Sequence, residues 1–167
     1  ARVSPTHRGG YRLARLARRL RPVGQWQGLH HTPAGLELEL DLGTYPDCTM
    51  AYGLYELETA RWRWLRRYLR PGDHFVDGGA NLGYFTLLAA QRVGPAGRVD
   101  AFEPEPDNRR RLRANLRRNA LADRIHVHAA ALTDAAGEAS IHRFADQAGH
   151  NHGSSSLFAA SGRAARA

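Results

Sequence analysis

Short apolar runs alternate along the middle of the chain with longer stretches that carry apolar residues at helical spacing. The apolar runs cover residues 74–79, 98–103 and 125–132, and the helical patterns cover residues 82–93 and 106–119. Strand, helix, strand, helix and strand with short connections indicate a parallel sheet with right-handed crossovers. Nearly continuous apolar strands are typical of a sheet covered on both faces. The pattern predicts a Rossmann-like α/β domain.

Further elements are predicted on either side of this unit. Residues 36–42 alternate leucine with acidic residues, which predicts a half-exposed strand. Residues 56–69 predict a helix that ends at Pro71 and Gly72. Residues 138–144 predict one more strand before a polar loop. The apolar face of the predicted helix is expected to hold Leu57, Ala60, Trp64, Leu65 and Tyr68.

The positive charge is concentrated at the N-terminus. All 24 basic residues are arginine, and seven of them lie in residues 1–21, which contain no acid. Residues 1–34 are therefore interpreted as a basic arm and linker, with a leucine-bearing helix at residues 11–20, and residues 35–167 as the domain. The arm is suited to weak contact with an anionic membrane surface or with nucleic acid, but docking on the domain through its leucines is the favoured interpretation.

Composition narrows the class of protein. The single cysteine, Cys48, excludes an internal disulfide and a cysteine-based zinc site. No apolar run approaches the length of a membrane span, and the N-terminus lacks a secretory pattern. The expectation is a cytoplasmic protein, and the use of arginine without lysine in an alanine-rich chain suggests a bacterial origin.

The run of residues 76–83, VDGGANLG, connects the first apolar strand to its helix. Glycine allows positive φ and close approach of a ligand, and the N-terminus of the helix is expected to offer free N–H groups to an anion. Ligands of such sheets bind at the carboxyl ends of the strands. This loop is the first candidate binding site.

Two cofactor patterns compete for the loop. The dinucleotide pattern G-x-G-x-x-G has Ala80 in place of its second glycine when it starts at Gly78, and Asn81 when it starts at Gly79. The methyltransferase pattern, acid-x-Gly-x-(Gly/Asn)-x-Gly, is matched in full by Asp77, Gly79, Asn81 and Gly83. The loop therefore favours S-adenosylmethionine over NAD.

A second acid ends the next strand. Glu103 follows Gly83 by 20 residues. A carboxylate in this place can accept hydrogen bonds from both ribose hydroxyls of an adenosine. This feature alone suits NAD equally well, and it is the combination with the loop that indicates a cofactor site.

The ordered set of motifs resembles the FkbM family of methyltransferases. The resemblance extends over residues 35–157, and Gly78 departs from it because the family often has an aliphatic residue there. The segments that carry it are residues 55–56, 71–73, 76–86, 102–104, Asn115, Asn119, 131–134, 137–138 and 151–157.

The resemblance implies a class I methyltransferase sheet with flanking helices and S-adenosylmethionine as the cofactor. It also implies methyl transfer to a hydroxyl oxygen of a small molecule, natural product or glycan, with the acid of the loop reaching the methionine ammonium. No catalytic base is assigned. The implied cofactor-binding residues are Asp77, Gly79, Ala80, Asn81, Gly83, Tyr84, Glu103 and Pro104.

Two other functions stay open. An RNA methyltransferase would use the arm together with the arginines of residues 109–118, although a solvated helix face explains those arginines as well. A non-catalytic interaction module would bind no cofactor. The sequence favours the small-molecule or glycan acceptor over nucleic acid.

Four histidines form two short metal-like tracts. His126 and His128 share a strand face, and His150 and His152 lie in the polar loop. No third ligand is evident, so no metal site is expected. His150 or His152 could act as a base, but a solvated loop histidine is the favoured interpretation.

The chain is expected to be incomplete at its C-terminus. Three parallel strands leave the first strand exposed along one edge, and such an edge is normally paired or covered. The resemblance implies a further strand after the serine-rich loop, and the chain lacks an initiator methionine. Weak or absent activity is therefore expected from this segment by itself.

Overall fold

The computed structural model describes residues 27–32, 34–42, 47, 50–51, 56–138, 140–143 and 155–156. The predicted arm helix and the histidines of residues 150–152 lie outside these ranges. The described elements, in chain order, are β1 (Gln27–His31), β2 (Glu37–Asp41), α1 (Glu56–Tyr68), β3 (His74–Gly78), α2 (Tyr84–Val93), β4 (Arg98–Phe102), α3 (Pro106–Arg118), a 3-10 turn (Ala122–Arg124), β5 (Ile125–His128), β6 (His142–Arg143) and β7 (Ser155–Ser156).

The predicted parallel sheet is present. Its strand order is β3-β4-β5, and both pairs are parallel. Among the described strands, β3 therefore lies at one edge, as the sequence led us to expect. The third strand ends at His128, four residues before the predicted position. The last backbone bond between β5 and the chain after β4 runs from Glu103 N–H to His128 O at 3.1 Å. Beyond this point the chain after β4 turns into α3, so β5 has no strand beside it with which to continue.

Helix α2 covers one face of this sheet. Its buried residues include Leu87, Leu88 and Val93, and they belong to the same core as Val99 and Ala101 of β4. The other face is covered unevenly among the described residues, since Val76 of β3 is 50% exposed whereas Asp100, its partner on β4, is 7% exposed. The cofactor loop thus rests on a sheet whose core lies on the α2 side.

The predicted strand at residues 36–42 is confirmed as β2, and it pairs antiparallel with β1, which the sequence did not predict. Its leucines are buried in the core. The other backbone edge of β2 lies against α3, where Asn119 Oδ1 accepts from Glu37 N–H at 3.0 Å and Asn115 Oδ1 accepts from Glu39 N–H at 2.9 Å. The side-chain amides of α3 therefore bond β2 as a neighbouring strand would.

The predicted apolar face of α1 is wrong in part. Leu65 and Leu69 are buried, whereas Trp64 and Tyr68 are more than half exposed. The C-terminal end of α1 is held on α2 by Arg92, whose Nε donates to Leu69 O at 2.9 Å. That contact turns Leu65 and Leu69 inwards and leaves the large aromatic rings outside. Ala60 is also exposed, and the side chain of Leu57 lies outside the described part.

The predicted strand at residues 138–144 is present only as the two-residue β6, which pairs antiparallel with β7. In the described part of the chain, no helix has the length and apolar character that crossing a bilayer requires. The cytoplasmic location stays a prediction.

Candidate cofactor site

The loop after β3 bends back onto the end of β4. Gly79, Asn81 and Gly83 all adopt positive φ, at 85°, 51° and 97°. The N–H groups of Gly79 and Ala80 both donate to Phe102 O, at 2.9 and 3.0 Å. These bonds bring the loop to the carboxyl end of β4, where the second predicted acid follows.

The two glycines at positive φ serve different purposes. A Cβ on Gly83 would lie 2.4 Å from Leu112 Cδ1, so this glycine allows the loop to pack closely on α3. A Cβ on Gly79 would meet no described atom within 4 Å. The space beside Gly79 is therefore open, and a ligand can approach the backbone there.

Glu103 joins the two strand ends. Its Oε2 accepts from Asn81 N–H at 2.8 Å, and its Oε1 accepts from Glu105 N–H at 2.9 Å. A longer contact of 3.4 Å comes from Asn108 Nδ2. A carboxylate has about four acceptor positions, so these donors leave room for about one more. The acceptance of ribose hydroxyls by Glu103 stays a prediction.

Asn81 supplies a second acceptor beside Glu103. Its Oδ1 is buried and has no hydrogen-bond partner among the described residues. A buried polar atom without a partner is costly, so this oxygen is suited to a donor from a ligand or from water. The sequence identified Asn81 by its place in the loop and not by this oxygen.

Asp77 lies under the first turn of α2. Thr86 Oγ1 donates to Asp77 Oδ2 at 2.5 Å. Burial raises the pKa of Asp77, and the charge of Glu103 raises it further, while bonds from Thr86 and the charge of Arg61 oppose the shift. The anion at this helix N-terminus is therefore the protein's own carboxylate.

Four N–H groups of the loop are bonded within the protein. Gly79 and Ala80 bond Phe102, Asn81 bonds Glu103, and Gly83 N–H donates to Ala80 O at 2.9 Å. The loop uses these donors to hold its own shape. It offers a ligand open space and side-chain acceptors in place of a ring of backbone donors.

Two cavities border this arrangement. One, of about 760 Å³, lies beyond the ends of β4 and β5 and is lined by Pro104 and by residues between 129 and 141. The other, of about 320 Å³, lies between α1, β3 and α2, with Asp77 in its wall. The sequence did not predict the second cavity, because the α1 residues that line it are distant along the chain from the loop.

Comparison with known proteins places the chain in a family. The Methyltransferase FkbM domain matches residues 77–166, which is more than half of the chain. The chain belongs to the FkbM methyltransferase family. The resemblance found in the sequence is thereby confirmed, and the fold is that of a Rossmann-like methyltransferase domain.

Individual relatives match parts of the FkbM chain. It is similar to the 31-O-demethyl-FK506 methyltransferase FkbM of Streptomyces tacrolimicus, with 46% identity over 69 residues. It is also similar to the ribosomal protein L11 methyltransferase of Pelotomaculum thermopropionicum, with 31% identity over 117 residues. The match to the Streptomyces enzyme covers 41% of this chain and 25% of that protein. The match to the Pelotomaculum enzyme covers 70% of this chain and 36% of that protein.

A solved structure also resembles the chain. The structure of M. jannaschii TYW2 in complex with AdoMet is similar with a TM-score of 0.49 and 19% identity. The match covers 64% of this chain and 44% of that chain.

The residues present fit the cofactor that an FkbM methyltransferase requires. Open space beside Gly79, a free acceptor on Asn81 and one remaining acceptor position on Glu103 lie around the same loop. Hydroxyl and amine donors of an adenosine match acceptors of this kind. S-adenosylmethionine is supported as the cofactor by this donor–acceptor match and by the family.

Two of the predicted cofactor-binding residues, Tyr84 and Pro104, do not lie in the loop after β3. The side chain of Tyr84 is only 2% exposed and lies against Phe85, with 5.3 Å between the ring centroids. Its ring is therefore a core group, and only the backbone of Tyr84 lies at the start of α2. Pro104 lines the larger cavity, and its carbonyl oxygen accepts from Arg109 Nη1.

The carboxylate of Asp100 bonds two histidines of the sheet, His74 and His128. Its Oδ1 lies 2.7 Å from His128 Nε2, and its Oδ2 bonds His74 and Arg98. His128 also stacks on Phe102, with 4.4 Å between the ring centroids. Within the described ranges, no group of three or more histidine, cysteine or acidic residues has the geometry of a metal site.

Two arginines of α3 make contacts inside the FkbM domain. Arg109 bonds the end of β4, and Arg111 forms an ion pair with the buried Asp47. The interpretation of this helix as a solvated face is wrong for Arg111, whose side chain is 16% exposed. Arg110 and Arg118 form ion pairs at the surface, with Asp107 and Glu39, and their side chains are 74% and 42% exposed.

Proposed function

We propose that this chain is the cofactor-binding part of an S-adenosylmethionine-dependent methyltransferase that acts on a hydroxyl oxygen of a small molecule, natural product or glycan. The observation that carries the proposal is the placement of two acids at the loop: Asp77 lies near the carboxyl end of β3, and Glu103 follows the adjacent parallel strand β4 and accepts from the loop N–H of Asn81. The FkbM family assignment supports it.

Each residue of the loop has a separate task in this proposal. Glu103 accepts from a ribose hydroxyl, and Asn81 Oδ1 accepts from a neighbouring donor. Gly79 leaves space for the adenosine to approach the backbone. Asp77 holds the methionine ammonium, and Thr86 keeps its carboxylate in place. Bound S-adenosylmethionine supplies a methyl group on a sulfonium, which is already a good leaving group.

The protein's main contribution is alignment. In-line attack on a methyl group needs the acceptor oxygen, the methyl carbon and the sulfur held in one line, with water excluded. An alcohol also needs a base or a strong acceptor near its proton. No base is assigned to a described residue, and the acceptor is proposed to bind beside the cofactor loop.

The hydroxyl acceptor is favoured over RNA for two reasons. A relative with 46% identity is named for methyl transfer to 31-O-demethyl-FK506. Two of the arginines that suggested a nucleic-acid footprint on α3, Arg109 and Arg111, are engaged within the protein. Phosphate contacts need arginines that are available to the ligand.

The test is a calorimetric titration of the purified chain with S-adenosylmethionine, and separately with NAD. We expect binding of S-adenosylmethionine and none of NAD. Glu103→Gln and Asp77→Asn keep the side-chain shapes and are each expected to weaken binding at least tenfold, because each loses one charged hydrogen bond. Circular dichroism confirms that each variant is folded.

The acceptor is tested separately with S-adenosylmethionine that carries a labelled methyl group. In incubations with hydroxylated small molecules, glycans and RNA, we expect weak labelling, and only in the first two classes. Label in RNA, or binding of NAD by the folded chain, would contradict the proposal. Absence of S-adenosylmethionine binding by a folded chain would favour the interaction module.

A further inference from the structure

We propose that Arg61 and Asp77 form a subsite for an α-amino acid group, in which Arg61 binds the carboxylate and Asp77 binds the ammonium. The group is the methionine end of the cofactor, so the inference rests on the proposed function. It assigns a specific residue of α1, a helix outside the loop motif, to the binding site.

The first observation is that two opposite charges line one small cavity. The cavity of about 320 Å³ between α1, β3 and α2 has Arg61 in one wall and Asp77 in another. Such a pair matches a zwitterion, whose carboxylate and ammonium are separated by one carbon atom. A neutral apolar ligand would leave both charges without compensation.

The second observation is that Arg61 and Asp77 do not form an ion pair with each other. No ion pair joins Arg61 to Asp77, although both side chains belong to the described part and the charge of Arg61 opposes the raised pKa of Asp77. Arg61 instead lies over the ring of Phe85, with its Cζ 5.5 Å from the ring centroid. The guanidinium is therefore held near the cavity by an aromatic face, and its N–H donors are available to a carboxylate.

The third observation concerns the walls between the charges. Trp64, Phe75 and Phe85 supply most of the remaining lining. Apolar walls lower the local dielectric and strengthen charge–charge interactions inside the cavity. This accounts for the exposure of Trp64, which is 54% exposed because it borders an open cavity and not the core.

The experiment compares three adenosyl ligands by calorimetry. S-adenosylhomocysteine carries both the carboxylate and the ammonium, decarboxylated S-adenosylmethionine lacks the carboxylate, and 5′-methylthioadenosine lacks both. The variant Arg61→Gln keeps most of the side chain and removes the charge. The control is Arg67→Gln on the same helix, since Arg67 lies against Tyr68 and does not line the cavity.

We expect Arg61→Gln to weaken S-adenosylhomocysteine about tenfold, because it removes a charge-assisted bond to a carboxylate. The same variant should change the affinity of the other two ligands less than about twofold, and Arg67→Gln should leave all three unchanged. Equal weakening of all three ligands, or no weakening of S-adenosylhomocysteine, would overturn this inference alone. If the folded wild-type chain bound none of the three ligands, the proposed function would fail, and this inference with it.

Discussion

Gly79 and Gly83 have the same left-handed backbone conformation, but the surroundings of their α-carbons differ. The α-carbon of Gly83 faces Leu112 on α3, whereas that of Gly79 faces open space. Any side chain at positive φ is strained, and a contact with another side chain adds a packing cost. The conformational cost is therefore shared by both positions, while the packing cost belongs to Gly83.

This difference predicts unequal effects of the same substitution. Gly79→Ala should lower the free energy of unfolding by about 1–2 kcal/mol, which is the cost of the backbone conformation. Gly83→Ala should lower it by about 2–4 kcal/mol, because Leu112 must also move. Urea unfolding followed by circular dichroism measures both values. Equal losses would show that Leu112 yields without cost.

At the scale of elements, asparagine amides join the N-terminal hairpin to the parallel sheet domain. Asn115 is fully buried, and it bonds β2 through its Oδ1 and Leu82 O through its Nδ2 at 2.9 Å. It therefore connects β2, α3 and the cofactor loop through one side chain. The side-chain amide of Asn119 bonds both the N–H and the C=O of Glu37. Asn119 is only half-buried, unlike Asn115.

We expect Asn115→Ala to lower the free energy of unfolding by about 2–4 kcal/mol, because it removes a fully buried side chain and leaves the buried Leu82 C=O and the partly buried Glu39 N–H without their partner. Asn119→Ala is the matched control and should cost less, since water can replace its bonds. Chemical denaturation of both variants tests this. A larger loss for Asn119→Ala would contradict the assigned role of Asn115.

At the scale of the whole molecule, Asp100 links all three strands of the parallel sheet. The bond from His128 on β5 lowers its pKa most, and bonds from His74 on β3 and from Arg98 add to this against the opposing effect of burial. A carboxyl whose pKa is lowered by folding stabilises the folded state above its ordinary value of 3.8. That stabilisation is lost as the pH falls from 3.8 through the lower folded pKa.

Asp100→Asn should therefore lower the free energy of unfolding at pH 7 by about 1–3 kcal/mol, because it removes charged hydrogen bonds from a buried position. The difference from the wild type should shrink as the pH falls below 3.8. Denaturation at a series of pH values measures this dependence. Asp123→Asn, which changes an exposed acid of the 3-10 turn, is the control. A difference that stayed constant with pH would contradict the linkage.

Local patterns in the sequence determined the central unit and its cofactor motif. The strand β3, the helices α2 and α3 and the strand β4 follow from apolar spacing and from Gly and Pro at their ends, since these signals act between near neighbours along the chain. The loop pattern from Asp77 to Gly83 favoured S-adenosylmethionine over NAD for the same reason. Positive φ at Gly79, Asn81 and Gly83 agrees with that pattern.

Only the tertiary structure decided which groups the site can use. The donors to Glu103 come from residues 81, 105 and 108, and their number determines how many acceptor positions remain. Likewise, Arg61 reaches the cavity beside Asp77 because α1 packs on α2, and Arg111 is only partly exposed because it forms an ion pair with the buried Asp47. Burial and hydrogen-bond partners depend on residues that are distant in sequence, so no local pattern contains them.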